Sequence, residues 1–480
     1  MKKTWNKWRE NSRYREVSKV CVPLVMSMAA TMVMEFTDRV FLSNYSVDAI
    51  SAALPAGVTA FLCMTFLGGI GSYVTVFIAQ YYGAGKNQQI GIALWQGVYF
   101  CLFAGIVLFI LSLVATGPLF FLAGHPPEVR ALEEIYFNIL CRGAILHVTA
   151  QTISGFFTGR GMTRPIMLCN IIGMMINIPL DYALINGVWG LPEMGIAGAG
   201  LATVISWAVI VLLLIPLIFT RENDRLYHIY QGSPFNPAIF RRLMRFGIPG
   251  SLQFSLDIFA FTFFILMVGR LGREELAASN IVIAISSLAF MPALGFSQGI
   301  SSLVGQALGR GRPQQAKHAT WSGIHLLLAY TLLLDFFLIG MPEVIIALFI
   351  PQGQDAVEYA TVVELCTHLL RIVAVYICMD VFYMIFSGVL RGAGDTRFIM
   401  WSIGTSSVFC MLLPLYIGIK FFDRGLYYAW FCVLLFVAVL FILASFRYRQ
   451  GKWQHMLVVE RDGKTWSEQN PKQEGAKGED

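Results

Sequence analysis

The sequence predicts an all-α polytopic membrane protein of about twelve transmembrane helices, in two six-helix bundles related by a pseudo-twofold along the membrane normal. Three observations carry this. First, the 480-residue chain is 56% hydrophobic and 13% charged, against about a quarter charged residues in soluble domains. Second, apolar runs such as Gly105–Ala115, Ala208–Phe219 and Trp430–Phe446 recur along it, and a helix needs about 20 such residues to cross the hydrocarbon. Third, the chain is written twice. The block Gln80-Tyr-Tyr-Gly-Ala-Gly-Lys-Asn-Gln-Gln89 returns as Gln306-Ala-Leu-Gly-Arg-Gly-Arg-Pro-Gln-Gln315, and Trp95 and Gly97 fall on Trp321 and Gly323. A second block, Ser154-Gly-Phe-Phe-Thr-Gly-Arg-Gly-Met-Thr-Arg164, returns as Ser387-Gly-Val-Leu-Arg-Gly-Ala-Gly-Asp-Thr-Arg397. Duplication in an apolar chain is how transporters build two bundles around a central path.

The expected spans are 17–42, 50–80, 91–115, 130–157, 164–188 and 195–219, then 246–269, 277–307, 318–340, 360–390, 397–419 and 424–446. They divide the chain into a cytoplasmic N-terminal segment (1–16), a first lobe (17–220), a cytoplasmic linker with Pro234 and Pro237 (221–245), a second lobe (246–447) and a polar, disordered tail (448–480). Cations alternate between loops. Lys86, Arg160, Arg164, the Arg221–Arg245 stretch, Arg310, Arg312, Lys317, Arg391 and Arg397 share one side, while Pro342–Glu358 carries none. By the positive-inside rule both termini are cytoplasmic; the expected location is the cytoplasmic (inner) membrane.

The net charge of +6 is a topology signal in such a chain, so nucleic acid is not an expected partner. Nine cysteines lie singly, nearly all within apolar runs, which argues against a disulfide framework or a structural zinc site. Basic Met1–Lys19 lacks the apolar core and cleavage site of a signal peptide. Gly-x-Gly in the repeated loops permits tight turns and close helix approach; no strand precedes it and no Walker lysine follows, so it is not a phosphate loop.

Ionisable groups inside the hydrocarbon are costly, so each is a functional hypothesis. Asp38 lies 19 residues past Lys19, Asp181 17 past Arg164, and Thr203 nine past Met194, which puts all three in the outer half of the membrane at about 1.5 Å per residue. Asn177 and Asp181 are i and i+4 on one helix face. Pro179 between them frees a carbonyl one turn earlier. In the second half Asp257, 12 residues past Arg245, is level with Asp380, 11 before Arg391, and Tyr376 is one turn from Asp380. Glu35 and Gln298 are further contributors to consider. Burial and repulsion favour protonated carboxyls, whereas a bound cation favours ionised ones. That antagonism lets H+ or Na+ be exchanged against a cationic substrate. The competing interpretation is that these acids pair with buried arginines (Arg39, Arg142, Arg371, with Glu364 and Arg371 as one pair). His147 and His368 are read as packing groups, and Asp335, near a span end, as solvated.

The motifs Met34-Glu-Phe-Thr-Asp38, Gln80 with Gly83-Ala-Gly85, Asn177-Ile-Pro-Leu-Asp181-Tyr, Ser287-Leu-Ala-Phe-Met-Pro292, Gln306 with Gly309-Arg-Gly311, and Leu390-Arg-Gly-Ala-Gly-Asp395 resemble the multidrug and toxic compound extrusion (MATE) family over about residues 15–446. The resemblance implies two six-helix bundles, a central cavity, and rocker-switch extrusion of organic cations driven by Na+ or H+. It maps a first-lobe cation site, with Na+ as a candidate ligand, onto Asp38, Asn177, Asp181 and Thr203. A second-lobe site of one subfamily maps onto Asp257, Tyr376 and Asp380, where Asp257 replaces that subfamily's usual Glu.

The expected function is therefore a cation-coupled antiporter exporting organic cations or drugs, with membrane lipid around it, no cofactor beyond the coupling ion, and a monomeric state. The alternative is a lipid-linked oligosaccharide flippase of the same superfamily. Such proteins tend to have extra spans and a cationic cavity, whereas the candidates here are acidic. A membrane enzyme is disfavoured because no His-Glu-x-x-His motif or paired His cluster is present.

Overall fold

The repeated Gly-x-Gly blocks set the helix ends. In the computed structural model, which describes residues 13–123, 125–347 and 360–460, each of the four blocks closes a helix with the same cap. Amide N–H groups reach back five residues from Lys86 to Tyr81, Met162 to Phe157, Arg312 to Ala307 and Asp395 to Leu390, at 2.8–3.0 Å. That cap needs a left-handed residue, and Gly85, Gly161, Gly311 and Gly394 supply it with φ of 71°, 75°, 69° and 97°. The first glycine of each Gly-x-Gly has another task. A Cβ on Gly83 would lie 2.9 Å from the Gln306 Cα, and one on Gly309 would lie 3.0 Å from the Gln80 carbonyl carbon. Two backbones touch there, so side chains are excluded.

The helices are α1 Tyr14–Tyr45, α2 Val47–Ser72, α3 Val74–Gly83, α4 Gln88–Val114, α5 Thr116–Ala123, α6 Pro127–Gly159, α7 Arg164–Asn186, α8 Ile196–Ile218 and α9 Arg221–Tyr227. They continue with α10 Pro237–Val268, α11 Arg273–Gly309, α12 Pro313–Gly340, α13 Pro342–Ala347, α14 Ala360–Ala393, α15 Thr396–Ser406, α16 Leu413–Phe422 and α17 Leu426–Arg449. A π-helical turn, Ser407–Leu412, joins α15 to α16 just before Pro414, whose missing N–H and bulky ring disturb a regular α-helix. Among the described residues eleven helices are long and apolar enough to cross a membrane. The twelfth expected span is α6, 33 residues long but interrupted by Arg142, His147, Gln151 and a run of hydroxyl residues. Exposed apolar side chains line the helices: Leu102, Phe103, Ile106 and Ile110 on α4, and Leu332, Leu333, Phe336 and Ile339 on α12. Such faces call for a hydrocarbon solvent.

The chain forms two compact units. The first comprises Val22–Ser251, Gly305–Arg312 and the segment from Leu457. Its core sets Ala49, Ala52, Ala53, Ala56 and Ala60 of α2 with Phe137, Leu140 and Ala144 of α6; small residues let such helices approach closely. The second comprises the start of the chain through Cys21, Leu252–Val304 and Pro313–Met456, with Phe264 of α10 edge-on to Trp430 of α17 at 5.3 Å.

The expected linker 221–245 is bound structure. Trp95 Nε1–H donates to the Ile229 carbonyl at 2.7 Å, the Asn236 amide donates to Gln96 Oε1 at 3.1 Å, and the Tyr99 hydroxyl donates to the Ser233 carbonyl. Asn236 then caps α10, accepting from the Ala238 and Ile239 amides at 3.1 Å, with Pro237 at the first helical position. The helix therefore starts at 237 instead of 246.

The tail also departs from expectation. Residues 1–12, 348–359 and 461–480, which hold most of the N-terminal segment, part of the cation-free loop and the end of the tail, lie outside the described residues. The stretch 449–460, expected to be disordered, is packed. In the second unit Trp453 stacks on Tyr448 at 5.3 Å and Tyr448 on Phe386 at 4.5 Å. In the first unit the Val458 amide donates to Gln80 Oε1 at 2.8 Å, Lys86 Nζ donates to the Glu460 carbonyl at 2.7 Å, and Arg242 pairs with Glu460 at 2.8 Å. Composition hid this, because three buried side chains (Trp453, Val458 and Val459) lie within a polar stretch. Truncation after Met456 removes two buried valines and the partner of a buried guanidinium. It is expected to cost about 3 kcal/mol or more at about 1.5–3 kcal/mol per buried valine, read as a lowered unfolding midpoint in detergent. An unchanged midpoint would rule out a packing role for the strap.

Candidate cation site

Three helices of the first unit bring polar groups to one place. Asp38 comes from α1, Asn177 and Asp181 from successive turns of α7, and Thr203 from α8, which packs along α7. All four are buried, at 5%, 0%, 0% and 7% exposure. Thr203 Oγ1–H donates to Asp38 Oδ2 at 3.1 Å, and the Asp38 and Asp181 carboxyls lie within hydrogen-bonding reach of each other. Two carboxylates offer acceptors only. Asp38 Oδ1 and both Asp181 oxygens accordingly lack hydrogen-bond partners, and so do both the oxygen and the Nδ2 donor of the Asn177 carboxamide. Leaving one such buried group unmade costs about 1–3 kcal/mol, and more when it is charged. The deficit is relieved by a proton shared between the acids or by a cation among the oxygens. Both fit, since carboxylate, carboxamide and hydroxyl oxygens suit a hard monovalent ion, and no group of three or more His, Cys, Asp or Glu able to hold a metal occurs among the described residues. Pro179 inside α7 has no N–H to give the Met175 carbonyl one turn earlier.

The arginine-pairing interpretation is not realised at these acids. Among the described residues no Lys, Arg or His lies within ion-pair distance of Asp38, Asp181, Asp257 or Asp380. Arg39, Arg142 and Arg371 are exposed. Glu364 and Arg371 form no ion pair and both are exposed; two helical turns separate them by about 10 Å of rise. Glu35 is exposed on α1, beside Arg39 and Asp38.

In the second unit Asp257 of α10 acts electrostatically on Asp380 of α14, and Asp380 on Tyr376. Both acids are half-buried, and the Tyr376 ring stacks on Trp430 at 6.4 Å and 19°. The three expected residues are thus neighbours. Gln298 is exposed on α11 and is not among the groups acting on Asp257 or Asp380.

Two tyrosines escaped sequence reasoning. Tyr136 of α6 is buried beside Asp38 and Asp181, and Tyr383 of α14 beside Asp257 and Asp380. Neither stands out in an aromatic-rich chain, and only packing places each beside an acid pair. His147 sits against the Trp207 ring at 4.8 Å with Gln151 at 2.9 Å, the packed polar environment expected for it. All nine cysteines are free.

The sequence profile of the MatE family matches residues 23–183 and 249–417. A protein of Thermotoga maritima, named a probable multidrug resistance protein NorM, is 26% identical over 453 residues, covering 93% of this chain and 95% of its own. Two solved structures superpose with a TM-score of 0.83. One is a transporter of the MOP superfamily from Pyrococcus furiosus, described by the reversed polarity of its binding pocket; it is 21% identical, over 92% of this chain and 97% of that one. The other is a multidrug resistance MATE family transporter in an outward-facing conformation, 20% identical, over 92% and 96% of the two chains. At these identities the structural likeness establishes the helical fold alone.

Proposed function

The chain belongs to the MatE family of multi-pass membrane transporters, and from this we propose that it is a cation-coupled antiporter that exports organic cations by rocker-switch alternating access. One observation carries the reading. Asp38, Asn177, Asp181 and Thr203 form a buried oxygen cluster with a surplus of acceptors and no paired basic residue. Such a cluster takes up H+ or Na+ and releases it when the surroundings change. A ligand shifts a two-state protein only through its different affinity for the states, so cation entry at this site biases one conformation. The multidrug resistance name of the Thermotoga maritima relative supports a drug-like substrate.

In this reading Asp257, Tyr376 and Asp380 form a secondary cation or substrate site. The protein works as a monomer in the cytoplasmic membrane with both termini inside, and it needs no cofactor beyond the coupling ion. The test is reconstitution in liposomes with a fluorescent organic cation, under Na+ and H+ gradients imposed separately. Accumulation driven by at least one gradient is expected. Binding of the dye without flux under either gradient would overturn the proposal.

A further inference from the structure

Asp335 of α12 is not at a solvated span end. It is 6% exposed, and Thr331, one turn earlier on the same helix face, is fully buried. The Cys378 thiol of α14 donates to Asp335 Oδ2 at 3.2 Å. Asp335 Oδ1 and Thr331 Oγ1 have no partner. Elsewhere in this helix Thr320 closes its hydroxyl on the carbonyl four residues back, at 2.8 Å, a bond that Thr331 forgoes.

The elements packed against α12 include α13 and α14, α11, whose Leu288 carbonyl accepts from the Tyr330 hydroxyl at 2.9 Å, and the start of α1, where the Tyr14 hydroxyl meets the His325 ring at 2.9 Å. No charged group of α1 or α11 among the described residues acts on Asp335. Among the described residues neither Glu343 of α13 nor His368, Arg371 or Asp380 of α14 acts on Asp335; Cys378 alone does. An ionised Asp335 would therefore be a buried charge without a counter-ion, which costs several kcal/mol. A hard metal ion prefers about six oxygen ligands, and one carboxylate, one hydroxyl and a soft thiol fall short. A single proton on Oδ1 removes the charge and gives the carboxyl a donor of its own.

We propose that Asp335, Thr331 and Cys378 form a proton-binding site in the second unit, separate from the Asp257/Asp380 pair. Cys378 and Asp380 are two residues apart on α14, and at 3.6 residues per turn they project to different faces. The helix thus carries an acid site on each of two sides.

The test reads the carboxylic-acid C=O stretch of the purified protein in lipid at neutral pH by infrared spectroscopy. It needs neither substrate nor gradient, so its failure is separate from failure of the antiport reading. Asp335→Asn, close in shape to the neutral acid, is expected to lose one carboxylic acid per chain from that band. Cys378→Ala removes the thiol donor and is expected to shift the same component while leaving its intensity. Should the asparagine variant not fold, the cysteine variant alone decides between a shifted and an unshifted component. An identical band in wild type and Asp335→Asn, or no shift in Cys378→Ala, would overturn the assignment.

Discussion

Asp38→Asn and Asp181→Asn are each expected to reduce gradient-driven export to the leak seen in empty liposomes while leaving the protein folded. Asparagine keeps the shape and hydrogen-bonding capacity of the carboxyl but cannot trade a proton or hold a cation by charge. The energetics favour folding in the variants. Asp38 Oδ1 and both Asp181 oxygens have no donor, so neutralising either acid removes a buried repulsion rather than an ion pair. The unfolding midpoint of each variant should equal or exceed that of wild type. A second readout separates coupling from folding. An ion that binds only the folded state adds about 2.7 kcal/mol at a concentration of 100 Kd, so wild type should gain thermal stability with the coupling ion and the variants should not. Full gradient-driven export by Asp38→Asn would end the proposed mechanism.

Gly83→Ala is expected to be among the most damaging single methyl additions in the chain, with Gly309→Ala alongside it. The new Cβ of either would press into backbone, at Gln306 or Gln80 respectively, and backbone cannot rotate away as a side chain can. Overpacking costs about 1–3 kcal/mol even where side chains adjust, and here whole helices must separate. The measurement is the yield of monodisperse protein and its unfolding midpoint. Gly117→Ala provides the control: nothing lies within 4 Å of its added Cβ, and alanine favours a helix over glycine by about 1 kcal/mol. Comparable midpoints for Gly83→Ala and Gly117→Ala would refute the close-approach account of the motif.

The strap and the buried acids show what sequence reading misses and why. Residues 449–460 read as polar tail, yet two valines and a tryptophan suffice to anchor them once Gln80, Lys86 and Arg242 supply partners. Asp335 read as solvated because it stands five residues from the end of α12, and its burial depends on what α14 presents at Cys378. Position along a helix gives depth along one axis. Burial depends on neighbours around that axis, which come from distant parts of the chain.

The duplicated blocks, the apolar runs and the isolated polar residues by themselves determined an all-helical membrane protein and named Asp38, Asn177, Asp181 and Thr203 as its candidates. These are local properties: hydrophobic length, turn chemistry and the cost of a charge in hydrocarbon act on each segment separately. Only the tertiary structure decided that the four residues converge, that neither Asp38 nor Asp181 has an arginine within ion-pair distance, and that Tyr136 stands beside them. Convergence requires the facing surfaces of α1, α6, α7 and α8 to pack in one register, and that register is a property of the assembled helices rather than of any one of them.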